Sequence, residues 1–233
     1  RVAQVPEFAK HYQVLIYDHR GLGRSDKPDM HYTTRLFAKD CAGLMDALGI
    51  KGAHMMGHSM GARVLQWFAL EYPEKVRSLV LSGPGSGKYS EKLEDYPRGV
   101  PLEAALEMIE KGYEKYQSDH WGPGFMFSET FMKEHPDIVK KYQELIVDEV
   151  PPLKCYLRHV VARQCHETTH LIHKITAPTL VIVGSKDTHE GGTGNHVESA
   201  RVLAEKIPGA ELVLIEGGRH GYLREMPEKG HPP

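Results

Sequence analysis

This chain has no excess of positive charge. Across its 233 residues, 29 Lys and Arg stand against 31 Asp and Glu, a formal net charge of -2 at pH 7. No basic surface is therefore available to draw a polyanion, so nucleic acid is not an expected partner. Long apolar runs are missing as well. None approaches the roughly 20 residues needed for a membrane span, and no charged-then-apolar leader opens the sequence. Cysteine is scarce: Cys41, Cys155 and Cys165 are an odd number without a C-x-x-C pair. They read as reduced thiols, and the expected setting is soluble and cytoplasmic.

What is present is a repeating pattern. The length suits one domain, or one domain carrying a sizeable insertion. "YQVLIYDHRG" holds a short apolar run, Val14 to Tyr17, that stops at Asp18 and a glycine-studded loop. Continuous rather than alternating apolarity predicts a parallel strand buried on both faces. Residues 33 to 48 place Phe37, Cys41, Leu44 and Leu48 at steps of three and four, which predicts a helix. "GAHMMG" (52 to 57), a helix through "RVLQWFALEYPEKV" ending near Pro73, and "RSLVLSG" (77 to 83) continue the alternation. Strand, helix, strand, helix, strand is the rhythm of a parallel α/β sheet.

From about Lys88 to Lys174 the rhythm breaks. "PLEAALEMIEKGYEKY", "HPDIVKKYQELIVDEV" and "LKCYLRHVVARQ" have helical periodicity, and "HWGPGFMF" (120 to 127) lies between helices. The alternation resumes with "APTLVIVGSKD" (177 to 187), a helix around 196 to 207, and "AELVLIEGGRH" (210 to 220). The expected organisation is an α/β core of residues 1–87 and 175–233, with 88–174 as an inserted helical cap.

"LVLSGPGSGKYS" (79 to 90) has the outline of a phosphate-binding loop. Such a loop requires G-x-x-x-x-G-K-[ST]. Counting back from Gly87 and Lys88, the first glycine position holds Ser82, and the final Ser or Thr position holds Tyr89. The segment is a glycine-rich exit from a strand, and no nucleotide cofactor is expected.

The chemistry concentrates in "MMGHSMGA". Gly57-His58-Ser59-Met60-Gly61 fits G-x-S-x-G, with a strand expected before it and a helix after it. A tight strand-to-helix turn holds such a serine in strained backbone geometry and pushes its oxygen outward. Side chains would collide in so sharp a turn, which accounts for the glycines. The Met60 backbone N–H, at the helix start, is placed to donate to a developing oxyanion. A serine hydroxyl needs a base, and the base needs an orienting carboxylate, in the chain order Ser, acid, His. Asp187 follows one late apolar run and His220 the next, whereas residues 82 to 90 offer no Asp or Glu. Among other histidines, His58 reads as a filler of the turn, His54 lies within a strand, and His189 and His196 flank a glycine-rich loop. "DTHEGGTGNH", with Glu190 between its histidines, fixes no metal geometry and reads as a solvated loop, so no metal is expected.

With these residues the chain resembles the α/β-hydrolase fold superfamily, and in particular its cap-bearing, cofactor-free serine hydrolases such as carboxylesterases and 3-oxoadipate enol-lactonases. "YDHRGLGRSD", "GHSMGA", "APTLVIVGSKD" and "IPGAELVLIEGGRHGYLREMPE" carry the resemblance. The family's D-x-R-G-x-G-x-S loop matches at Asp18, Arg20, Gly21, Gly23 and Ser25. Its C-terminal pattern matches at His220, Glu225, Pro227 and Glu228, with Arg219 where the family usually has glycine. The resemblance implies a mostly parallel central sheet flanked by helices, with Ser59 as nucleophile, Asp187 as acid and His220 as base. It also implies an earlier segment of three strands, one of which would lie between Val14–Tyr17 and Ala53–Met56 and end in the loop that supplies a second oxyanion N–H. The sequence, which opens on Arg1, is therefore expected to be part of a longer protein, and a sheet without that strand would have a slot with unpaired backbone on both walls.

The expected activity is hydrolysis of a small-molecule carboxylic ester or lactone through an acyl-enzyme, without cofactor. Two alternatives stand beside it: hydrolysis of a carbon–carbon bond in a ring-cleavage product by the same triad, and a ligand-binding protein that barely turns over. Over Ser59, the block's Tyr113, Trp121, Phe125, Met126, Phe127 and Phe131 could line an apolar pocket, although each singly reads more simply as packing.

Overall fold

The structure, a computed structural model, describes residues 4–87, 102–148, 150–188 and 195–227. Its centre is a four-stranded, wholly parallel sheet in the order β1-β2-β3-β4. β1 is Ala53–His58, β2 Val76–Ser82, β3 Thr179–Gly184 and β4 Glu211–Ile215. β3, "TLVIVG", is buried almost throughout, as an unbroken apolar run in an inner strand should be.

Helices flank and interrupt the sheet. α1 (Gln4–Phe8) and α2 (Thr34–Ala47) precede β1, and α3 (Met60–Glu71) joins β1 to β2. Between β2 and β3 come α4 (Leu102–Lys111), α5 (Tyr113–His120), α6 (Pro123–Met126), α7 (Glu129–Glu134), α8 (Pro136–Asp148) and α9 (Leu153–Gln164). α10 (His196–Lys206) joins β3 to β4, and α11 (Tyr222–Glu225) follows β4. Lys88 and Tyr89 lie outside the described residues, so the block is described from Leu102 onward.

α2 starts where Thr33 caps it, its hydroxyl accepting from the Leu36 amide at 3.0 Å. Its core face is Phe37, Ala38, Cys41, Ala42 and Met45 rather than the predicted stripe through Leu44 and Leu48. The helix ends at Ala47, so Leu48 caps it and is exposed. Around this face the main core joins α2, α3 and α10 to the sheet through Phe68, Leu79, Leu81, Val181, Val183 and Leu203. The block has small cores of its own, one of them Phe127, Phe131 and Tyr142.

The first predicted strand does not form. Residues 13–19 have no regular structure, and Leu15, Ile16 and Tyr17 are exposed. A strand is defined by a paired neighbour, and among the described residues none lies beside Val14–Tyr17. Among the described residues β1 is accordingly an edge strand, paired to β2 alone. The loop after residue 17 is nevertheless well tied. The Asp18 carboxylate accepts from the Arg24 amide at 3.0 Å, Ser25 donates to the Asp18 carbonyl at 2.6 Å, and Arg20 pairs with Asp40 of α2. Cys41 and Cys155 are buried and Cys165 is exposed, all three as free thiols. Among the described residues no helix is long and apolar enough to cross a membrane.

Candidate active site

Because the four strands are parallel, the loops leaving their carboxyl ends share one edge of the sheet, where open α/β sheets place their ligands. Ser59 leaves β1, Gly83 leaves β2, Asp187 follows β3 and His220 follows β4.

Ser59 has φ 54° and ψ -115°, and it is the single non-glycine residue with positive φ among the described residues. An L-residue held there is strained, and here the surroundings leave no alternative. The Ser59 amide donates to the Ser82 carbonyl at 2.8 Å, while its own carbonyl accepts from Ala62 at 3.1 Å. A Cβ at Gly57 would lie 2.5 Å from the Gly61 backbone, so that position must be glycine. The collision argument fails at Gly61, where a Cβ would meet nothing within 4 Å. Ser59 caps α3 without spending its side chain on a capping bond. Met60 is the first residue of α3, where helical bonding leaves amides unused.

His220 and Asp187 are both buried, and His220 Nδ1 donates to Asp187 Oδ2 at 2.8 Å. That bond fixes the tautomer and leaves Nε2 as the basic nitrogen. Gly83 closes the floor beneath them with φ +49°, and a Cβ there would stand 3.0 Å from His58 Cε1 and 3.3 Å from His220 Cε1.

Two histidines read from sequence as incidental belong to the same cluster. The His58 ring lies 4.6 Å from the His220 ring and the His196 ring 4.7 Å from it. His196 is buried, not part of a solvated loop, and its Nδ1 donates to the Pro84 carbonyl at 3.0 Å. His58 Nδ1 shares a 2.9 Å hydrogen bond with Ser82 Oγ, which in turn bonds Tyr222 Oη at 2.5 Å. Burial drives both histidines down to about 3, so they stand neutral beside His220. The sequence did hold a signal for His196. Asn195 is an N-cap, accepting from Glu198 at 3.1 Å, so His196 begins a helix on the same edge as Asp187. His54 faces outward from β1 and shares a 2.7 Å bond with Ser78 Oγ. His189, Glu190 and Glu228 lie outside the described residues.

Asp187, His196 and His220 each offer one potential metal-ligand atom, all within 4.8 Å of one another. The Asp187–His220 bond and the His196–Pro84 bond already use much of that donor set, and the arrangement suits proton handling.

The helical block reaches this cluster through residues 121–128. Phe125 lies 4.9 Å from the His220 ring and 5.5 Å from Trp121. Gly221 donates its amide to the Met126 carbonyl at 2.8 Å, and Arg219 donates to the Gly124 carbonyl at 2.6 Å. The Ser128 amide donates to Glu225 at 3.0 Å. Of the other aromatics considered from sequence, Phe127 and Phe131 pack within the block and Tyr113 packs against Tyr156.

The alpha/beta hydrolase fold family matches residues 2–224. A protein of Azorhizobium caulinodans, provisionally named carbamate hydrolase RutD, is 24% identical over 97% of this chain and 80% of its own length. The 2-hydroxy-6-oxononadienedioate/2-hydroxy-6-oxononatrienedioate hydrolase of Burkholderia vietnamiensis is 30% identical over 76% of this chain and 60% of its own. Among solved structures, a thermophilic esterase from Thermogutta terrifontis aligns at 25% identity with a TM-score of 0.79, covering 98% of this chain and 80% of that one.

Proposed function

The chain belongs to the alpha/beta hydrolase fold family, and from that premise we propose that it is a serine hydrolase of small carboxylic esters or lactones. The observation that carries the proposal is the strained backbone of Ser59 on the edge that also holds the His220–Asp187 pair. A serine kept at positive φ with an uncommitted hydroxyl has a chemical use for its strain. The likeness to an esterase supports the reading.

In this mechanism His220 Nε2 takes the Ser59 proton as Oγ attacks the ester carbonyl. The oxyanion of the tetrahedral intermediate is met by the Met60 amide at the start of α3. Collapse of the intermediate expels the alcohol, protonated by His220, and leaves an acyl-serine. Water, activated by the same nitrogen, then releases the acid and restores Ser59. Asp187 holds the imidazole tautomer and stabilises the imidazolium. The steps use side chains and water, with no cofactor. The inserted block, expected over residues 88–174, acts as a lid whose residues 121–128 cover His220.

Intact-mass labelling with a fluorophosphonate tests the proposal. One adduct is expected on the wild-type chain and none on Ser59→Ala; an adduct that survives the substitution, or no adduct at all, overturns it. A second reading, hydrolysis of a carbon–carbon bond by the same residues, draws on the 30% identical dienedioate hydrolase. A spectral screen of dienoic diketone acids against simple esters separates the two.

A further inference from the structure

Three arginines in this fold pair with carboxylates. Arg20 pairs with Asp40, Arg35 with Glu71 and Arg158 with Asp29. Arg163, in the last turn of α9, does not. Its Nε is buried with no hydrogen-bond partner, and no carboxylate pairs with it among the described residues. Its guanidinium carbon lies 5.8 Å from the centre of the Trp121 ring, and the phenols of Tyr116 and Tyr156 are near it. Burial lowers its pKa from the ordinary value, yet an arginine surrenders its proton only far above neutral pH. The block thus holds a half-buried cation beside aromatic rings, with no carboxylate paired to it among the described residues. Taking even part of a charge out of water without a counter-charge is costly, and a natural sequence retains such a group where something supplies the missing anion.

The location says which anion. Arg163 stacks on Trp121, Trp121 lies 5.5 Å from Phe125, and Phe125 lies 4.9 Å from His220. A chain of aromatic contacts therefore runs from the Arg163 guanidinium to the imidazole. A molecule lying along these rings would have its reacting carbonyl at Ser59 and its far end at Arg163. A planar guanidinium accepts a carboxylate through two parallel N–H bonds, a geometry that lysine cannot reproduce.

We infer that Arg163 is an anion subsite of the same pocket and that the substrate is an ester or lactone carrying a free carboxylate. This inference rests on the serine-hydrolase reading for the reaction, though not for the binding of the anion. Arg163 would anchor the substrate and take no part in bond making, so its effect falls on the choice between acidic and neutral substrates.

The test compares 4-nitrophenyl half-esters of succinate, glutarate and adipate with neutral 4-nitrophenyl esters of matched chain length. For wild type, kcat/KM should favour at least one half-ester over its neutral counterpart. In Arg163→Gln that preference should fall by about tenfold or more, the range expected for losing a charge-assisted pair. Arg163→Lys should recover part of it. A purely structural role would lower both substrates together and leave their ratio unchanged. Free glutarate or adipate should also raise Tm in wild type and not in Arg163→Gln, a readout that needs no chemistry. Neutral esters hydrolysed with no acid preference, or a ratio unmoved by Arg163→Gln, would overturn the subsite and leave the serine hydrolase standing. Absence of both turnover and fluorophosphonate labelling alongside a diacid shift that needs Arg163 would sink the reaction and keep the subsite.

Discussion

His220 Nδ1 lies 2.8 Å from Asp187 Oδ2, and both side chains are buried. The two residues are 33 apart in sequence and come from the ends of adjacent strands, β4 and β3, so the sheet itself sets their separation. Asp187→Asn keeps the shape but offers an amide where the ring needs an acceptor. On the proposed mechanism kcat should fall by about 10⁴-fold with the fold intact, as expected when a triad loses its tautomer control. Ester turnover beside a circular-dichroism melt checks both halves; a loss under tenfold would remove Asp187 from the mechanism.

Acid should unfold this protein by way of its buried histidines. His58 and His196 are held at about 3 against an ordinary 6.5, chiefly by burial. Between those values the unfolded chain binds protons that the folded one refuses. Stability is therefore complete above about pH 6.5 and declines as pH falls, by about 1.4 kcal/mol per pH unit for each such histidine. Around His58 stand His220, Asp187 and Arg224; around His196 stand Asp187, His220 and Arg63. Urea unfolding from pH 7 to pH 5 should show this slope, and His196→Gln should flatten it by about one proton.

The three glycines of the site should respond differently to alanine. Gly57→Ala drives a Cβ to within 2.5 Å of the Gly61 backbone and should prevent soluble folding. Gly61→Ala meets nothing within 4 Å and lies in α3, so stability should hold or rise by up to about 1 kcal/mol. Gly83→Ala combines φ +49° with contacts on two histidines and should cost about 1–3 kcal/mol. Denaturant midpoints for the three variants rank them directly.

Tyr222 is fully buried, and its hydroxyl bonds Ser82 Oγ at 2.5 Å and the Ile182 carbonyl at 3.3 Å. Tyr222→Phe leaves Ser82 with its bond to His58, so the expected cost is about 1–2 kcal/mol. Tyr222→Ala also opens a cavity and should cost about 3–5 kcal/mol. Equal losses from the two would show that the hydroxyl, rather than the ring, matters.

β3 was legible as an unbroken apolar run because it is buried on both faces, and β1, β2 and β4 as short apolar runs between turn residues. Val14–Tyr17 has the same composition and forms no strand, because pairing is a property of two segments and composition reports only one. The Ser59 turn was legible because its glycine constraint is local, at least at Gly57. Asp187 and His220 could be placed from their positions after apolar runs. The parts played by His58 and His196 could not, because the rings packed against His220 come from the end of β1 and the start of α10. Arg163 escaped for a related reason: an arginine in an amphipathic helix reads as surface until its missing partner is seen in three dimensions.

The bonds from Gly221, Arg219 and Glu225 tie residues 124–128 of the helical block to the loop of His220. A lid hinged freely above an active site would change only who may enter. On the proposed reading, the block would not lift as a unit without breaking those bonds or drawing the His220 imidazole with it. Closure and chemical competence would then be the same event, and a protein caught open would be chemically idle as well as accessible. Sequence drift in residues 121–128 would consequently register as altered rate as well as altered taste for substrate.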